Sequence, residues 1–297
     1  MTVRPLRPDE SEAARALWNQ SAPYDPLSPA LFHEKVWGEP TPTALVAEDA
    51  GALVGLGVGV LWPTAGETRG SVKMLAVAPE RRREGAGTAL LGALAADLRQ
   101  HDTTVLRVGE AAPNYLQPGI DARYAAGLAF AAAAGFHETG EAVHLGVDLV
   151  SDDWSTAEAE ARLAAAGAEA RRATPADRDA LGRLLDAHWP AWRAEADRAL
   201  AHDPPTLHLV LRSGDVLGFA AYDANNVGTG WFGPMGTDPA ARGLGVGAVV
   251  LRRCLGDLRQ RGHGRATIAW AAALPFYERA AGATVSHRFR RVEKRLA

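Results

Sequence analysis

The 297-residue chain holds a single cysteine, Cys254, which excludes a disulfide framework and a cysteine-ligated zinc site. Lysine is nearly as scarce. Only Lys35, Lys73 and Lys294 stand among 32 basic residues, and with so much alanine this reflects base composition of the coding sequence. Thirty-five acidic residues leave a net charge of -3, so no surface for a polyanion is expected and nucleic acid is not an expected partner. No run approaches 18 consecutive apolar residues, so no membrane-spanning helix is expected. The opening Met1-Thr-Val-Arg-Pro-Leu-Arg-Pro lacks the apolar core of a signal peptide, and the expected location is cytoplasmic. Histidines without ligand spacing imply no metal, and the absence of a Ser/His/Asp constellation leaves a hydrolase without a nucleophile.

What the chain does have is enough to build two cores. Hydrophobic residues make up 47% and charged residues 23%, with eight Trp, and the length is about twice that of a usual domain. Shifting the sequence by 160 residues aligns Pro79–Gln100 with Pro239–Gln260, and nine of 22 positions are identical without a gap. Arg82/Arg242, Gly85/Gly245, Gly87/Gly247 and the run Asp97–Gln100 against Asp257–Gln260 are among them. A period this long is a duplicated domain and not a short-repeat solenoid. The spacing implies a first domain at 1–150, a connecting helix at 151–167 and a second domain at 168–297. The helix is implied by Ser/Asp capping candidates, strong helix formers and a terminal Gly.

Each half has the same order of segments. A short strand leads to a helix (9–19; 176–188), then strands (43–48, 53–61; 207–212, 216–222). A further apolar strand (72–77; 231–237) runs into an Arg/Gly-rich loop. Leu90, Leu91, Leu94 and Leu98, or Val250, Leu251, Cys254 and Leu258, then recur at helical spacing on one face. Another strand, a short helix and a final strand close each half, which is an α/β order.

The loops carry the chemistry. Glycines between a buried strand and a helix let the backbone approach a ligand, and the first helical amides lack intrahelical partners. Such a terminus binds a pyrophosphate, and a leading Arg adds a charged donor. No Gly-Lys-Ser/Thr is present, which excludes a P-loop, and Gly243-Leu-Gly-Val-Gly fails the dinucleotide spacing because position 248 is Ala.

The pattern Arg82-Arg83-Glu84-Gly85-Ala86-Gly87, repeated as Arg242-Gly243-Leu244-Gly245-Val246-Gly247, resembles motif A of the GNAT superfamily of acyl-CoA-dependent N-acyltransferases. Pro275-Phe276-Tyr277-Glu278-Arg279-Ala280-Ala281-Gly282-Ala283 is similar to its motif B. The resemblance spans the chain as two tandem copies, as in mycothiol synthase and tandem amino-sugar acetyltransferases. It implies two GNAT-like α/β domains, each a mixed, mostly antiparallel sheet flanked by helices. It also implies acetyl-CoA as co-substrate, held by Leu75, Ala76, Val77 and Arg82, Arg83, Glu84, Gly85, Ala86, Gly87, Thr88 in the first copy. In the second copy the corresponding residues are Met235, Gly236, Thr237 and Arg242, Gly243, Leu244, Gly245, Val246, Gly247, Ala248. A neutral primary amine of a small molecule would attack the thioester directly, and proximity would supply much of the rate.

The family's tyrosine protonates the leaving thiolate. Counting back five from Gly282 reaches Tyr277, whereas counting back five from Gly135 reaches Phe130, so the resemblance puts catalysis in the second copy. Tyr115 and Tyr124 are the alternatives for the first copy. Asp223, Glu67 and His144 are weak candidates for a general base, and Trp189 and Trp192 are candidates for an acceptor pocket wall or plain packing. Cys254 reads as core. The runner-up function is a non-catalytic acyl-CoA-binding or sensing protein, and protein-lysine acetylation stays open.

Overall fold

The computed structural model describes residues 1–64 and 67–296, with the side chains of residues 63, 64 and 67 outside the description. In chain order the elements are β1 (Thr2–Pro5), α1 (Ser11–Ser21), α2 (Pro29–Val36), β2 (Thr43–Asp49), β3 (Ala52–Thr64), β4 (Glu67–Val77), α3 (Ala86–Arg99), β5 (Val105–Val108), β6 (Ile120–Asp121), α4 (Ala125–Ala133) and β7 (His137–Asp148). There follow α5 (Ala157–Ala165), β8 (Glu169–Arg172), α6 (Arg178–His188), α7 (Arg193–Leu200), β9 (Leu207–Arg212), β10 (Asp215–Tyr222), β11 (Trp231–Thr237), α8 (Val246–Gln260), β12 (Arg265–Ile268), α9 (Leu274–Ala281) and β13 (Thr284–Arg295).

Two compact units emerge: Met1–Ala142 with Arg288–Ala297, and Val143–His287. Within the first unit the strand order is β1-β2-β3-β4-β5-β13, with β6 also pairing β13, and within the second it is β8-β9-β10-β11-β12-β7. All the pairings are antiparallel except β4–β5 and β11–β12, which are parallel, so each sheet is mixed and mostly antiparallel. The outermost strand of each unit comes from the far end of the other copy's sequence. Residues 145–148 of β7 pair with β12, and residues 293–295 of β13 pair with β5. These boundaries differ from the 1–150, 151–167 and 168–297 of the repeat. Residues 288–295 of β13 belong to the first unit, although they lie at the end of the second copy's sequence.

Helices cover both faces of each sheet. In the first unit Trp18, Phe32, Leu56, Val58 and Met74 form one core under α1 and α2. On the other face α3 lies against glycines: a Cβ on Gly55 would come within 2.8 Å of Leu90, and one on Gly57 within 3.1 Å of Leu94. The sequence Gly55-Leu-Gly-Val-Gly59 is therefore a close-packing device, because a larger residue on that face would push the helix off the sheet. In the second unit Phe219, Leu209 and Leu185 form the α6/α7 face. Val250, Leu251, Cys254 and Leu258 of α8 fill the other, with Phe232 and Tyr222.

The repeated Asp-Leu-Arg-Gln has a packing role in both units. Asp97 on α3 accepts a hydrogen bond from Thr43 on β2. Asp257 on α8 accepts from Arg172 at 2.6 Å and faces His208 Nε2 at 2.7 Å, both inward from β8 and β9. Burial pushes His208 below the ordinary imidazole value, and its Nδ1 is buried without a partner. The neutral form fits that setting, because a second N–H would be left unsatisfied.

Candidate active site

In the second unit the parallel ladder between β11 and β12 consists of Trp231–Thr267 and Phe232–Ile268. Beyond that, β11 continues to Thr237 with β10 on its other edge: Ala220 faces Met235, Phe219 faces Gly236 and Gly218 faces Thr237. Residues 233–237 thus line an opening between two diverging strands. Strand residues with one edge outside the ladder are equipped to hydrogen-bond an extended ligand such as a pantetheine arm. The first unit repeats this: β4 pairs with β5 from Gly70–Leu106 to Val72–Val108, while β4 runs on to Val77.

At the end of β11 the chain makes a short 3-10 turn and enters α8 through Gly243 (φ +88°) and Gly245 (φ +83°). Both glycines are left-handed, where a side chain would be strained. No side chain caps α8, and the first intrahelical bond runs from Val249 N–H to Gly245 O, so the amides of residues 246–248 have no helical acceptor. Arg242, Gly243, Leu244 and Gly245 are exposed, and the Arg242 guanidinium makes no hydrogen bond or ion pair among the described residues, its backbone N–H alone donating to Pro239 O at 3.4 Å. Unpaired amides at the positive end of a helix, beside a free guanidinium, make an anion site of the right chemistry for a pyrophosphate.

The first unit has the same bend with less freedom. Gly85 (φ +91°) is the uncapped start of α3, but Arg83 (φ +70°) stands where Gly243 stands, a left-handed residue with a side chain. Arg82 is already engaged: its Nε donates to Val77 O at 3.2 Å and its Nη2 to Ser21 O at 3.1 Å. The arginine that leads the loop therefore ties β4 to the end of α1.

α9 sets two aromatics against this machinery. A Cβ on Gly247 would lie 3.4 Å from the Phe276 ring and 3.2 Å from Thr237 Oγ1, so Phe276 leans on the first turn of α8. Tyr277 packs edge-on against Phe232, centroids 6.4 Å apart, at the point where β11 and β12 part. Its hydroxyl has no hydrogen-bond partner among the described residues, and burial pushes its pKa up to about 12. The phenol thus keeps its proton throughout the physiological range.

The comparison with the first copy needs a correction of one residue. A Cβ on Gly87 would meet Phe130 at 3.4 Å, as one on Gly247 meets Phe276, so Phe130 corresponds to Phe276 and buried Ala131 takes the place of Tyr277. The cause lies at the helix ends. α4 closes with Phe136 N–H to Ala131 O, five residues back, while α9 closes with Ala283 N–H to Tyr277 O, six back. Counting from the glycine therefore slips by one, and at either position the first unit has no phenol.

Other sequence candidates find different roles. Tyr124 O–H donates to Asp25 at 2.8 Å and accepts from Tyr24 N–H at 3.0 Å, and Gln117 donates to Asp25 at 2.6 Å. Burial raises both the Asp25 carboxyl and the Tyr124 hydroxyl. Nothing in the turn Ala22-Pro-Tyr-Asp-Pro26 signals that Asp25 is the hub, since the partners lie about 90 to 100 residues away. Tyr115 is buried. Asp223 (φ +51°) is turn chemistry, accepting from Gly228 N–H at 2.9 Å and Arg261 at 3.2 Å. His144 is buried and its Nδ1 accepts the Trp270 N–H at 3.0 Å. The Glu67 side chain lies outside the described ones. Cys254 is fully buried, its thiol donating to Ala220 O at 3.4 Å. Trp189 stacks on Trp192 at 5.4 Å and covers Gly236, where a Cβ would come within 2.5 Å of the ring. Two shallow cavities, of about 550 and 420 Å³, lie away from the second loop: one is lined by Arg4, Arg7 and Glu10 with Ala78 and Glu80 at the entry to the first loop, the other by Gly167, Arg171 and Ser213.

The acetyltransferase (GNAT) family model matches residues 4–116 and 172–283, one segment in each copy. None of the curated proteins compared by sequence matches the chain. Among solved structures, a glucosamine N-acetyltransferase region of a fungal multi-domain GH3 β-N-acetylglucosaminidase superposes with a TM-score of 0.86 at 19% identity. That match covers 99% of this chain and only 38% of the fungal protein, so the chain spans well under half of it. A tandem GNAT protein from the clavulanic acid biosynthesis pathway matches at TM-score 0.68 and 18% identity, covering 99% of this chain and 98% of that one. A GCN5-related N-acetyltransferase from Sphaerobacter thermophilus matches at 0.67 and 18%, covering 99% and 95%. At such identities the superpositions speak for the fold, and the family match speaks for descent. The chain belongs to the GNAT acetyltransferase family and carries two GNAT units in tandem.

Proposed function

We propose that the unit Val143–His287 transfers acetyl from acetyl-CoA to a primary amine of a small molecule by direct attack on the thioester. The observation that carries this is the partnerless Tyr277 hydroxyl at the parting of β11 and β12, with the uncapped start of α8 at the end of the same strand. In this reading residues 235–237 hydrogen-bond the pantetheine and polarise the thioester carbonyl with a backbone N–H, a contribution of a few kcal/mol. Arg242 and the amides of residues 243–248 hold the pyrophosphate. The amine attacks the carbonyl carbon, the nitrogen gives up a proton to water, the tetrahedral adduct collapses as the C–S bond breaks, and the thiolate leaves hydrogen-bonded to the Tyr277 hydroxyl before taking a proton from solvent. No covalent enzyme intermediate is needed.

The first unit is proposed as a second, weaker acetyl-CoA site formed by Leu75–Val77 and Arg82–Thr88, without turnover. Arg82 would have to leave two carbonyls to reach a phosphate, roughly a tenfold to hundredfold loss of affinity. A role in binding without catalysis, the runner-up for the whole chain, is thus favoured for this unit.

Acetyl-CoA calorimetry on the wild type, Gly245→Glu and Gly85→Glu tests the assignment. Both substitutions force a side chain at positive φ into open space before a helix and place a negative charge where phosphate is expected. We expect Gly245→Glu to remove the tight site and Gly85→Glu to leave it intact. Loss of tight binding in Gly85→Glu alone would reverse the assignment, and no binding by the wild type would overturn the acetyl-CoA reading.

A further inference from the structure

The divergence of β11 and β12 has a cause at the exit of β12. The last contact towards β11 is Ala269 N–H to Phe232 O at 3.2 Å. The next amide, Trp270 N–H, turns to the opposite neighbour and donates to His144 Nδ1 at 3.0 Å, and Ala271 N–H donates to Val143 O at 2.9 Å. Trp270 sits at φ +43°, a left-handed conformation strained for a residue with a side chain and held only where its surroundings impose it. His144 is buried on β7, with its ring edge-on to Trp231 at 5.0 Å, at the start of the β11–β12 ladder.

The first unit solves the same problem with charge. Glu110 follows β5 as Trp270 follows β12, also left-handed at φ +67° and fully buried. Its carboxylate is gripped by Arg107 at 2.7 Å and by Arg291 of β13 at 2.8 and 2.9 Å. In both units, then, the outermost strand captures the residue that leaves the ladder and draws it away from the cofactor strand.

We propose that His144 is a positioning residue for acetyl-CoA in the second unit: by accepting the Trp270 amide it holds β12 apart from β11 and keeps the cofactor cleft open. This rests on the proposed function of that cleft. A backbone amide can only donate, so Nδ1 is the acceptor, the ring proton is on Nε2, and the imidazole acts as a neutral strut. Without the acceptor the Trp270 amide no longer ties this end of β12 to β7, and the ladder with β11 can extend past Ala269 and narrow the cleft.

The test compares His144→Leu, which removes the acceptor, with His144→Asn, whose amide oxygen restores one, in the full chain. Acetyl-CoA affinity by calorimetry, KM for acetyl-CoA, kcat and thermal melting are read for each. His144→Leu is expected to lose about tenfold in acetyl-CoA affinity, with KM rising by a similar factor, the worth of one buried hydrogen bond, and a smaller change in kcat at saturation. His144→Asn is expected within about threefold of wild type. Wild-type affinity in His144→Leu overturns the role of His144 alone. So does equal loss in both variants, since a merely structural histidine would show no rescue by Asn. Failure of the wild type to bind acetyl-CoA overturns the proposed function together with this role.

Discussion

Tyr277→Phe separates chemistry from architecture. The ring packs against Phe232 and Phe276, and a Phe keeps both contacts. The hydroxyl bonds nothing among the described residues, so its removal strands no partner. We therefore expect the melting temperature to stay within about 2 °C of wild type, the scale of changes below 1 kcal/mol in a chain of this size. The rate is another matter. With the phenol pushed up to about 12 and a thiol near 8.5, complete proton transfer to the free thiolate would run uphill by about 3.5 units, roughly 5 kcal/mol. In the proposed mechanism Tyr277 would thus serve as a hydrogen-bond donor to sulfur as charge develops, and not as a full proton donor. Such a bond to a charged group contributes about 1.5–3 kcal/mol, which places the loss in kcat at about 10- to 150-fold, below the upper range of general acid catalysis. The assay is steady-state release of CoA thiol with a saturating amine. KM for acetyl-CoA should change less than about threefold, and between roughly pH 8 and 10 the wild-type rate should show no fall from ionisation of this group. Unchanged kcat would refute the role, and a loss that tracks a large drop in melting temperature would assign Tyr277 to packing.

The repeated aspartates should part company on mutation. Asp257→Ala leaves Arg172 and buried His208 facing each other without a carboxylate and is expected to destabilise by about 3–5 kcal/mol, whereas Asp97→Ala frees only Thr43 and should cost about 1 kcal/mol, as measured by urea unfolding. Acid should weaken both units. Glu10, bonded by Arg4, and Asp177, bonded by Arg171, have pKa values lowered to about 2, so their stabilisation is complete above the ordinary carboxylate values and is lost as pH falls through about 2. Unfolding free energy measured from pH 6 downwards should begin to decline below about pH 4.5, and Asp177→Asn should flatten the decline.

Much of the candidate site is legible in the sequence alone. Strand 231–237, the loop 239–247 and the amphipathic α8 follow from period and glycine spacing, because hydrophobic alternation, helical stripes and left-handed turns are local properties of the chain. β9 and β11 fall where the pattern put them, at Leu207–Arg212 and Trp231–Thr237. The duplication was visible because identical loops had to build identical turns. α2 and α7 went unread: their eight-residue lengths give the periodicity too little room to show.

Tertiary structure alone decided the rest. The order of segments calls for a final strand in each half, and nothing in that order says which sheet edge β7 or β13 completes, since pairing partners are chosen by free backbone edges far away in sequence. The chain names Arg82 and Arg242 alike, yet one guanidinium is bonded to Val77 O and Ser21 O while the other has no partner among the described residues. The register that sets Phe130 beside Gly87 depends on how α4 ends, and the part His144 plays depends on an amide 126 residues away. Local sequence determines which turns and faces exist; which of them meet is settled by burial and by hydrogen bonds that must be satisfied once water is excluded.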